Sequence, residues 1–251
     1  MTDFAQSVTP AASPLRALVL LHLFHADLWP QIRGFLANLQ GTPFQLCVGV
    51  RTDAPEALLS EVRAFAPTAR FQRVANRGFD VGSHWQNLDA VDLREFDVAV
   101  LLQTKKSRHT RIGETWRTNL MRSLMGTPER WSENLRAFAE NPKIGMIAAA
   151  LHHSSFHSWS YREIAEVLAA LTMPTQFDIV KDAYEFVTGT MFMIRADLLA
   201  EIHARTRGRV QFEPYESLSL TRKLDNSLAH AMERAFGAYV RWRGYEILWR
   251  P

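Results

Sequence analysis

The chain has 251 residues, 47% of them hydrophobic and 22% charged, which fits an ordinary globular domain with a sizeable core and excludes a disordered or fibrous chain. A net charge of +3, from 29 Lys and Arg against 26 Asp and Glu, with a sequence pI of about 9.2, suits an anionic ligand or surface without demanding one. The basic residues are scattered, and no helix-turn-helix, zinc-finger or aromatic RNA-binding motif accompanies them, which argues against nucleic acid as a partner. The single cysteine, Cys47, excludes an intramolecular disulfide and a cysteine-rich metal site, and its apolar neighbours make it a core thiol.

Residues 1–14 are polar, Ala/Pro-rich and without a basic start, so they read as a flexible segment rather than a secretory signal, and residues 15–251 read as one domain. The longest apolar runs, Ala17 to Leu21 and Ile144 to Leu151, fall far short of the ~18 residues of a membrane helix. A cytoplasmic protein is expected, with peripheral association at the inner face of the membrane resting on Arg241, Arg243 and Arg250.

Residues 17 to 23 form the first predicted strand. Ala26 to Leu39 reads as a helix, because Leu28, Ile32, Phe35, Leu36 and Leu39 recur at helical spacing and Asp27 supplies an acidic first turn. A strand at 44 to 50, a helix from Pro55 to Phe65 and a short strand from Arg70 to Val74 follow. Beyond the Asn76 turn, a helix through Trp85 and Leu88 leads to a strand at 97 to 102. Strands alternating with helical patterns predict an α/β fold whose central sheet is mostly parallel and flanked by helices. Glu114 to Met125 and Pro128 to Glu140 are predicted helices, Ile144 to Ala150 a strand, and Tyr161 to Leu171 a helix. Phe186 to Ile194 reads as one strand containing Gly189, a mark of a bulge or of a ligand close to the backbone. Asp197 to Ala204 and Asn226 to Phe236 close the chain as helices.

The strand at 97 to 102 ends abruptly in Gln103-Thr104-Lys105-Lys106-Ser107, two ammonium groups among hydroxyls. Ligands of open α/β sheets lie beyond the carboxyl ends of the strands, so this run is a candidate anion site; a solvated charged turn is the plainer alternative. Upstream, Asn76-Arg77-Gly78-Phe79-Asp80-Val81-Gly82-Ser83 combines glycines that allow close backbone approach with an arginine able to fork onto a phosphate.

Four segments, taken in order and spacing, resemble the rhamnan synthesis protein F family of polysaccharide-building glycosyltransferases. They are His22 to Trp29, the Asn76 to Asp80 turn, Thr104 to Ser107 followed by Trp116-Arg117, and Gly189 to Phe192 with Asp225 to Arg234; Asn141 to Met146 fits between them. The resemblance spans about residues 17 to 237 and implies a single nucleotide-sugar-binding domain of the GT-A type. Members usually carry arginine at Phe79, histidine at Gln103, proline at Arg108 and glycine at Asn226. Gln103 therefore removes a titratable group from the strand end.

The resemblance implies transfer of a sugar, rhamnose in the family's case, from a nucleotide-sugar donor to a saccharide or lipid-linked glycan. Such an enzyme must hold a diphosphate, stabilise it as it leaves, and take a proton from the acceptor. No Asp-x-Asp occurs in the chain, so no divalent metal or other cofactor is expected, and Lys105 and Lys106 are the candidates to neutralise the leaving diphosphate. Asp225, before the helix bearing Leu228, Met232 and Phe236, is the first candidate for the base of an inverting displacement; its other role is a helix N-cap, and Glu213 and Glu216 are next in line. Donor and acceptor contacts are expected from His22, Asn76, Arg77, Gly78, Asp80, Gln103, Thr104, Ser107, Trp116, Arg117, Gly189, Thr190, His230 and Arg234. His230 and Arg234, four apart on one helix, are expected to reach one pocket; Trp116 and Trp159 are candidates to stack on sugar rings; Glu233 reads as the partner of a surface arginine. His152, His153 and His157 lie among serines without a carboxylate or cysteine at ligand spacing, and read as a flexible loop over the site. A catalytically inactive sugar-nucleotide- or glycan-binding module is the alternative to an enzyme.

Overall fold

The computed structural model describes residues 14–104, 106, 113–155, 161–173, 185–220, 223 and 227–251. The first strand, β1 (Ala17–Leu23), is buried at every position, as a strand covered on both faces must be. It lies between β2 (Phe44–Arg51) and β4 (Val98–Gln103), parallel to both, and β3 (Arg70–Val74) pairs parallel to β2 at the sheet's edge. β3 is the least buried of these four, with only Val74 enclosed, as befits an edge. The order across the seven-stranded sheet is β3-β2-β1-β4-β8-β5-β9, where β5 is Ile144–Ala149, β8 Phe192–Arg195 and β9 Glu246–Arg250. β8 runs antiparallel to both β4 and β5, and the other strands run together.

The helices are α1 (Trp29–Leu36), α2 (Glu56–Phe65), α3 (Phe79–Leu88), α4 (Gly113–Met125), α5 (Pro128–Glu140), α6 (Tyr161–Ala170), α7 (Ala196–Thr206) and α8 (Leu228–Trp242). α1, α4 and α5 pack on one another, and α3, α6 and α7 gather on α8. Leu228, Met232 and Phe236 of α8 are buried, three of the four positions of the apolar stripe read from the sequence; the fourth, Leu224, lies outside the described residues. Cys47 is buried too, and desolvation pushes its thiol up to about 11. Asn134, fully enclosed on α5, donates to the Ser123 and Leu124 carbonyls at the end of α4 and accepts from Arg250 Nε at 2.8 Å, tying α4, α5 and β9 together. Among the described residues no helix is long and apolar enough to cross a membrane.

Several expectations are corrected. Phe186 to Ile194 is not one strand: β7 (Glu185–Val187) pairs antiparallel with β6 (His153–Ser155) in a separate two-stranded sheet, and β8 begins only at Phe192. The break is Gly189 at φ 107° followed by Thr190 at φ 52°, a left-handed turn that no strand continues through. β6 also takes His153 out of the predicted loop. The last helix starts at Leu228 and runs to Trp242, and β9 follows it where no strand was expected, because Glu246 to Arg250 mixes charge with bulk and lacks an alternating pattern. In consequence Arg250 is bonded to Asn134 and Arg243 pairs with Glu201, so two of the three arginines assigned to a membrane surface are engaged within the protein.

Candidate functional site at the carboxyl edge of the sheet

Since β1 to β4 run parallel, the segments that follow them emerge at one edge. β8 runs the other way, so the Gly189–Thr190 turn before it arrives at the same edge beside the end of β4. β1 and β4 are neighbours although β2 and β3 intervene in the chain. The order reverses there, which is where open α/β sheets leave a crevice.

Thr104 stitches that crevice. Its buried hydroxyl accepts from the backbone N–H groups of Phe24 and His25, each at 2.9 Å, and donates to the His22 carbonyl at 3.2 Å. The hydroxyl offered as a substrate contact is thus committed to fixing the loop after β1. Two residues on, Lys106 Nζ donates to Asp27 Oδ2 at 2.5 Å. Arg117, also buried, donates through Nε to Gln31 Oε1 at 2.8 Å, and Gln31 reaches Thr118 at 3.4 Å. Burial pushes the Arg117 guanidinium below its ordinary value, against the attraction of Glu114 and Asp27.

A pocket of about 640 Å³ opens at this edge, lined by His22 and Phe24 after β1, Arg51 to Asp53 after β2, Val74 to Asn76 after β3, and Tyr215, Glu216 and Lys223. Phe24 and Tyr215 give it two aromatic rings, each with a cation over it, Arg51 at 5.1 Å and Lys223 at 4.6 Å. Arg51 is held by a two-point bond to Asp53 at 2.6 and 2.8 Å, and Asn76 Nδ2 donates to Glu216 Oε1 at 3.4 Å. The wall is therefore mixed: flat apolar faces, two cations, two carboxylates and an amide. That suits a planar heterocycle bearing hydroxyls and an anionic tail.

The Asn76–Gly78 turn is held by a second segment of chain. Tyr215 N donates to the Asn76 carbonyl at 2.9 Å, Gly78 N to the Glu213 carbonyl at 3.1 Å, and Arg77 Nε to the Phe212 carbonyl at 3.1 Å. Gly78 is left-handed at φ 65°, and a Cβ there would lie 2.5 Å from two atoms of Phe212, so only glycine fits. Phe79, at φ 52°, is strained as well; its ring packs edge-on to Tyr215 at 5.5 Å and tilted against His230 at 5.2 Å. The residue that departs from the family's usual arginine thus supports the pocket wall behind Tyr215. Asp80 follows, buried in the first turn of α3.

Two histidines are buried here, His22 in the pocket wall and His84 near it. His22 is 8% exposed and His84, on α3, is fully enclosed; neither ring nitrogen of His84 has a hydrogen-bond partner among the described residues. Desolvation, with the charge of His25 adding to it, lowers His22 to about 4; desolvation and the charge of His22 lower His84 to about 3. Both are neutral imidazoles at physiological pH.

Further along the edge, Gln103 donates through Nε2 to the Gly189 carbonyl at 2.7 Å, while Glu233 of α8 accepts from Gly189 N at 2.5 Å and Thr190 Oγ1 at 3.2 Å. Glu233 therefore holds the left-handed turn, a role the sequence reading gave to a surface ion pair. Trp116 is stacked on His152 at 5.5 Å and 19°, donates to the Thr188 carbonyl at 3.3 Å, and lies against Gly189. Its ring is committed to the same turn rather than open to a sugar. His230 faces Phe79 and bonds through Nδ1 with Ser227 Oγ at 2.8 Å, while Arg234 donates to the His230 carbonyl at 2.9 Å and lies over the Phe186 ring at 5.2 Å.

Of the predicted residues, His22, Asn76 and Glu216 line the pocket; Lys106, Thr104, Arg117, Gln103, Gly189 and Thr190 lie along the edge outside its lining. Lys105, Ser107, His157, Trp159 and Asp225 lie outside the described residues. The reading missed Arg51, Thr52, Asp53 and Lys223, and the rings of Phe24 and Tyr215. The rule applied to the end of β4 would have found the first three, since they follow β2 directly. Among the described residues no three His, Cys, Asp or Glu side chains come together as metal ligands.

The model of the family described as rhamnan synthesis protein F matches residues 2–245. The chain belongs to the rhamnan synthesis protein F family. The uncharacterized protein WxcX from two strains of Xanthomonas campestris pv. campestris is 25% identical over 252 aligned positions, covering 98% of this chain and 34% of each relative. The chain spans about a third of the length of those relatives. Among solved structures, a glucosyl-3-phosphoglycerate synthase from Mycobacterium tuberculosis, in complex with Mn²⁺, uridine diphosphate and glucosyl-3-phosphoglycerate, is 16% identical with a TM-score of 0.35 over 75% of this chain and 59% of that one. A second mycobacterial protein is 16% identical with a TM-score of 0.40 over 94% and 76%. Neither likeness is deep enough to carry residue roles across.

Proposed function

We propose that this chain is a glycosyltransferase domain of polysaccharide synthesis, of the GT-A type, that takes its sugar from a nucleotide-sugar donor. The observation that carries the reading is the pocket at the carboxyl ends of β1 to β3, beside the end of β4. In this reading a nucleobase lies against the rings of Phe24 and Tyr215, and Asp53, Asn76 and Glu216 meet base edges and ribose hydroxyls. The diphosphate extends past Arg51 toward Lys106, with Lys105 beside it in the chain. Membership of a family described by rhamnan synthesis supports polysaccharide as the product class and rhamnose as the first sugar to test.

In the transfer step the acceptor hydroxyl oxygen attacks the anomeric carbon. The bond from that carbon to the diphosphate oxygen breaks, and the nucleoside diphosphate leaves with the electron pair. Lys105 and Lys106 meet the charge that develops there, so that no divalent metal is needed. Asp225 receives the acceptor's proton, and a single displacement of this kind inverts the anomeric centre. The acceptor is a saccharide or lipid-linked glycan, reached in the cytoplasm at the inner face of the membrane.

The test is a thermal-shift screen of nucleosides, nucleoside diphosphates and their sugars, with and without Mn²⁺, followed by transfer assays on the binders. A ligand at about 100 times its dissociation constant adds about 2.7 kcal/mol of stability. Binding of a nucleoside diphosphate with transfer supports the enzyme. Binding without transfer to any acceptor supports the inactive module, and no binding of any nucleotide overturns both.

A further inference from the structure

The loop after β1 and the loop after β4 are closed on each other at two points of different character. The inner one is the Thr104 hydroxyl, buried and bonded to three backbone groups. The outer one is the Lys106–Asp27 pair, in which the Asp27 side chain is 65% exposed and Lys106 24%. The first is fixed by burial; the second is an ion pair in contact with solvent and free to exchange. Asp27 also acts electrostatically on Arg117, a second cation near this edge among the described residues, which donates to Gln31. One carboxylate of the chain thus sits where two cations converge, at the edge where the nucleotide pocket opens. Lys106 in turn holds the Asp27 carboxyl below its ordinary value.

We infer that Asp27 is an intramolecular competitor for Lys106: its carboxylate occupies the lysine until the anionic part of a ligand displaces it, and takes the lysine back as that ligand leaves. The inference rests on the nucleotide-sugar reading of the same edge, and it names how that site is regulated. A diphosphate approaching Lys106 must break the Asp27 bond or tolerate the adjacent negative charge. Either way Asp27 weakens the hold on the anion, and its value lies in releasing the nucleoside diphosphate once the sugar has gone.

The experiment uses the full chain with Asp27→Asn, Lys106→Gln and the double variant. Binding is measured by calorimetry with a nucleoside, the matching nucleoside diphosphate and inorganic pyrophosphate. Asp27→Asn keeps the side chain's size and removes its charge, and a thermal melt checks that the fold is retained. The diphosphate and pyrophosphate should bind about two- to five-fold more tightly to Asp27→Asn, the range set by exposed ion pairs, while the nucleoside is unchanged. The gain should vanish when Lys106 is also replaced. In transfer assays the same variant should show stronger inhibition by the nucleoside diphosphate product. Unchanged or weaker diphosphate binding in Asp27→Asn, or a gain that survives loss of Lys106, overturns the inference while leaving the nucleotide site standing. If neither the wild type nor the variant binds nucleotide or pyrophosphate, the functional reading falls, and this one with it.

Discussion

His84 offers a direct measurement of what it costs to enclose an imidazole in this fold. Its ring is buried, it has no hydrogen-bond partner among the described residues, and it is held neutral down to about pH 3. In the unfolded chain it takes up a proton near its ordinary value of 6.5, so as pH falls the unfolded state gains protons before the folded state does. The stability this neutral ring allows is complete above about pH 6.5 and is lost as pH falls from there toward the folded value. Between about pH 7.5 and 5 the loss is about 2 kcal/mol from His84 and about the same from His22, which is lowered to about 4. His84→Leu replaces the ring with an apolar side chain of similar bulk and strands no partner, so it should be neutral or slightly stabilising near pH 7.5. Urea unfolding of both proteins across this range should give curves that separate as pH falls, the variant becoming more stable by about 2 kcal/mol near pH 5. The burial of His152 and His203 lowers those groups too, but they are common to both proteins and cancel in the difference. Parallel curves would refute the reasoning, because they would mean that His84 titrates alike in the folded and unfolded states.

The remaining predictions concern the transfer site. Lys105→Ala and Lys106→Ala should each weaken nucleoside-diphosphate binding by about tenfold or more, the worth of a charge-assisted bond to phosphate, and leave nucleoside binding alone; wild-type affinities in both variants would remove the phosphate assignment. Transfer should persist in EDTA, since no Asp-x-Asp stands at the end of β4; activity lost to chelation and restored by Mn²⁺ would move attention to Asp80 and Asp97. Ser227, not Asp225, caps α8, its hydroxyl accepting from His230 N, so Asp225→Asn removes a charge without removing that cap and should keep donor affinity, while transfer falls by roughly 10²–10⁴. A wild-type rate in that variant, or a product that retains its anomeric configuration, would exclude the single-displacement role and bring Glu213 and Glu216 forward.

The parallel half of the fold was legible because its strands are covered on both faces. Ala17 to Leu21 and Val98 to Leu102 are uninterrupted apolar runs, and the helices between them repeat their apolar residues at helical spacing. The second half was harder for a physical reason. Gly189 is the visible half of a two-residue left-handed turn, but Thr190 gives no warning of φ 52°, since a residue of its type rarely adopts it. That conformation is held from elsewhere in the chain, by Glu233, Gln103 and Trp116, and contacts of such separation leave no local pattern. The same holds for β9, which is a strand because β5 presents it a free edge rather than through its own composition.

At the candidate site, sequence identified chemistry more readily than it assigned roles. Thr104, Gln103, Trp116 and Glu233 all stand at the carboxyl edge, yet each spends its polar atoms on the protein's own backbone: Thr104 on the loop after β1, and the other three on the stretch from Thr188 to Thr190 before β8. A strand end with several polar residues must satisfy the backbone of the loops it launches before it can meet a ligand, because those loops have left the sheet's ladder. Among the described residues, those left for a ligand include the pocket's Arg51 and Lys223, its aromatic faces, its Asp53, Asn76 and Glu216, and Lys106 on Asp27. Thr104 is enclosed and Gln103, Trp116 and Glu233 are half-buried; their bonds to the loops of this edge build the cradle, and the charges at its rim are left to recognise what enters.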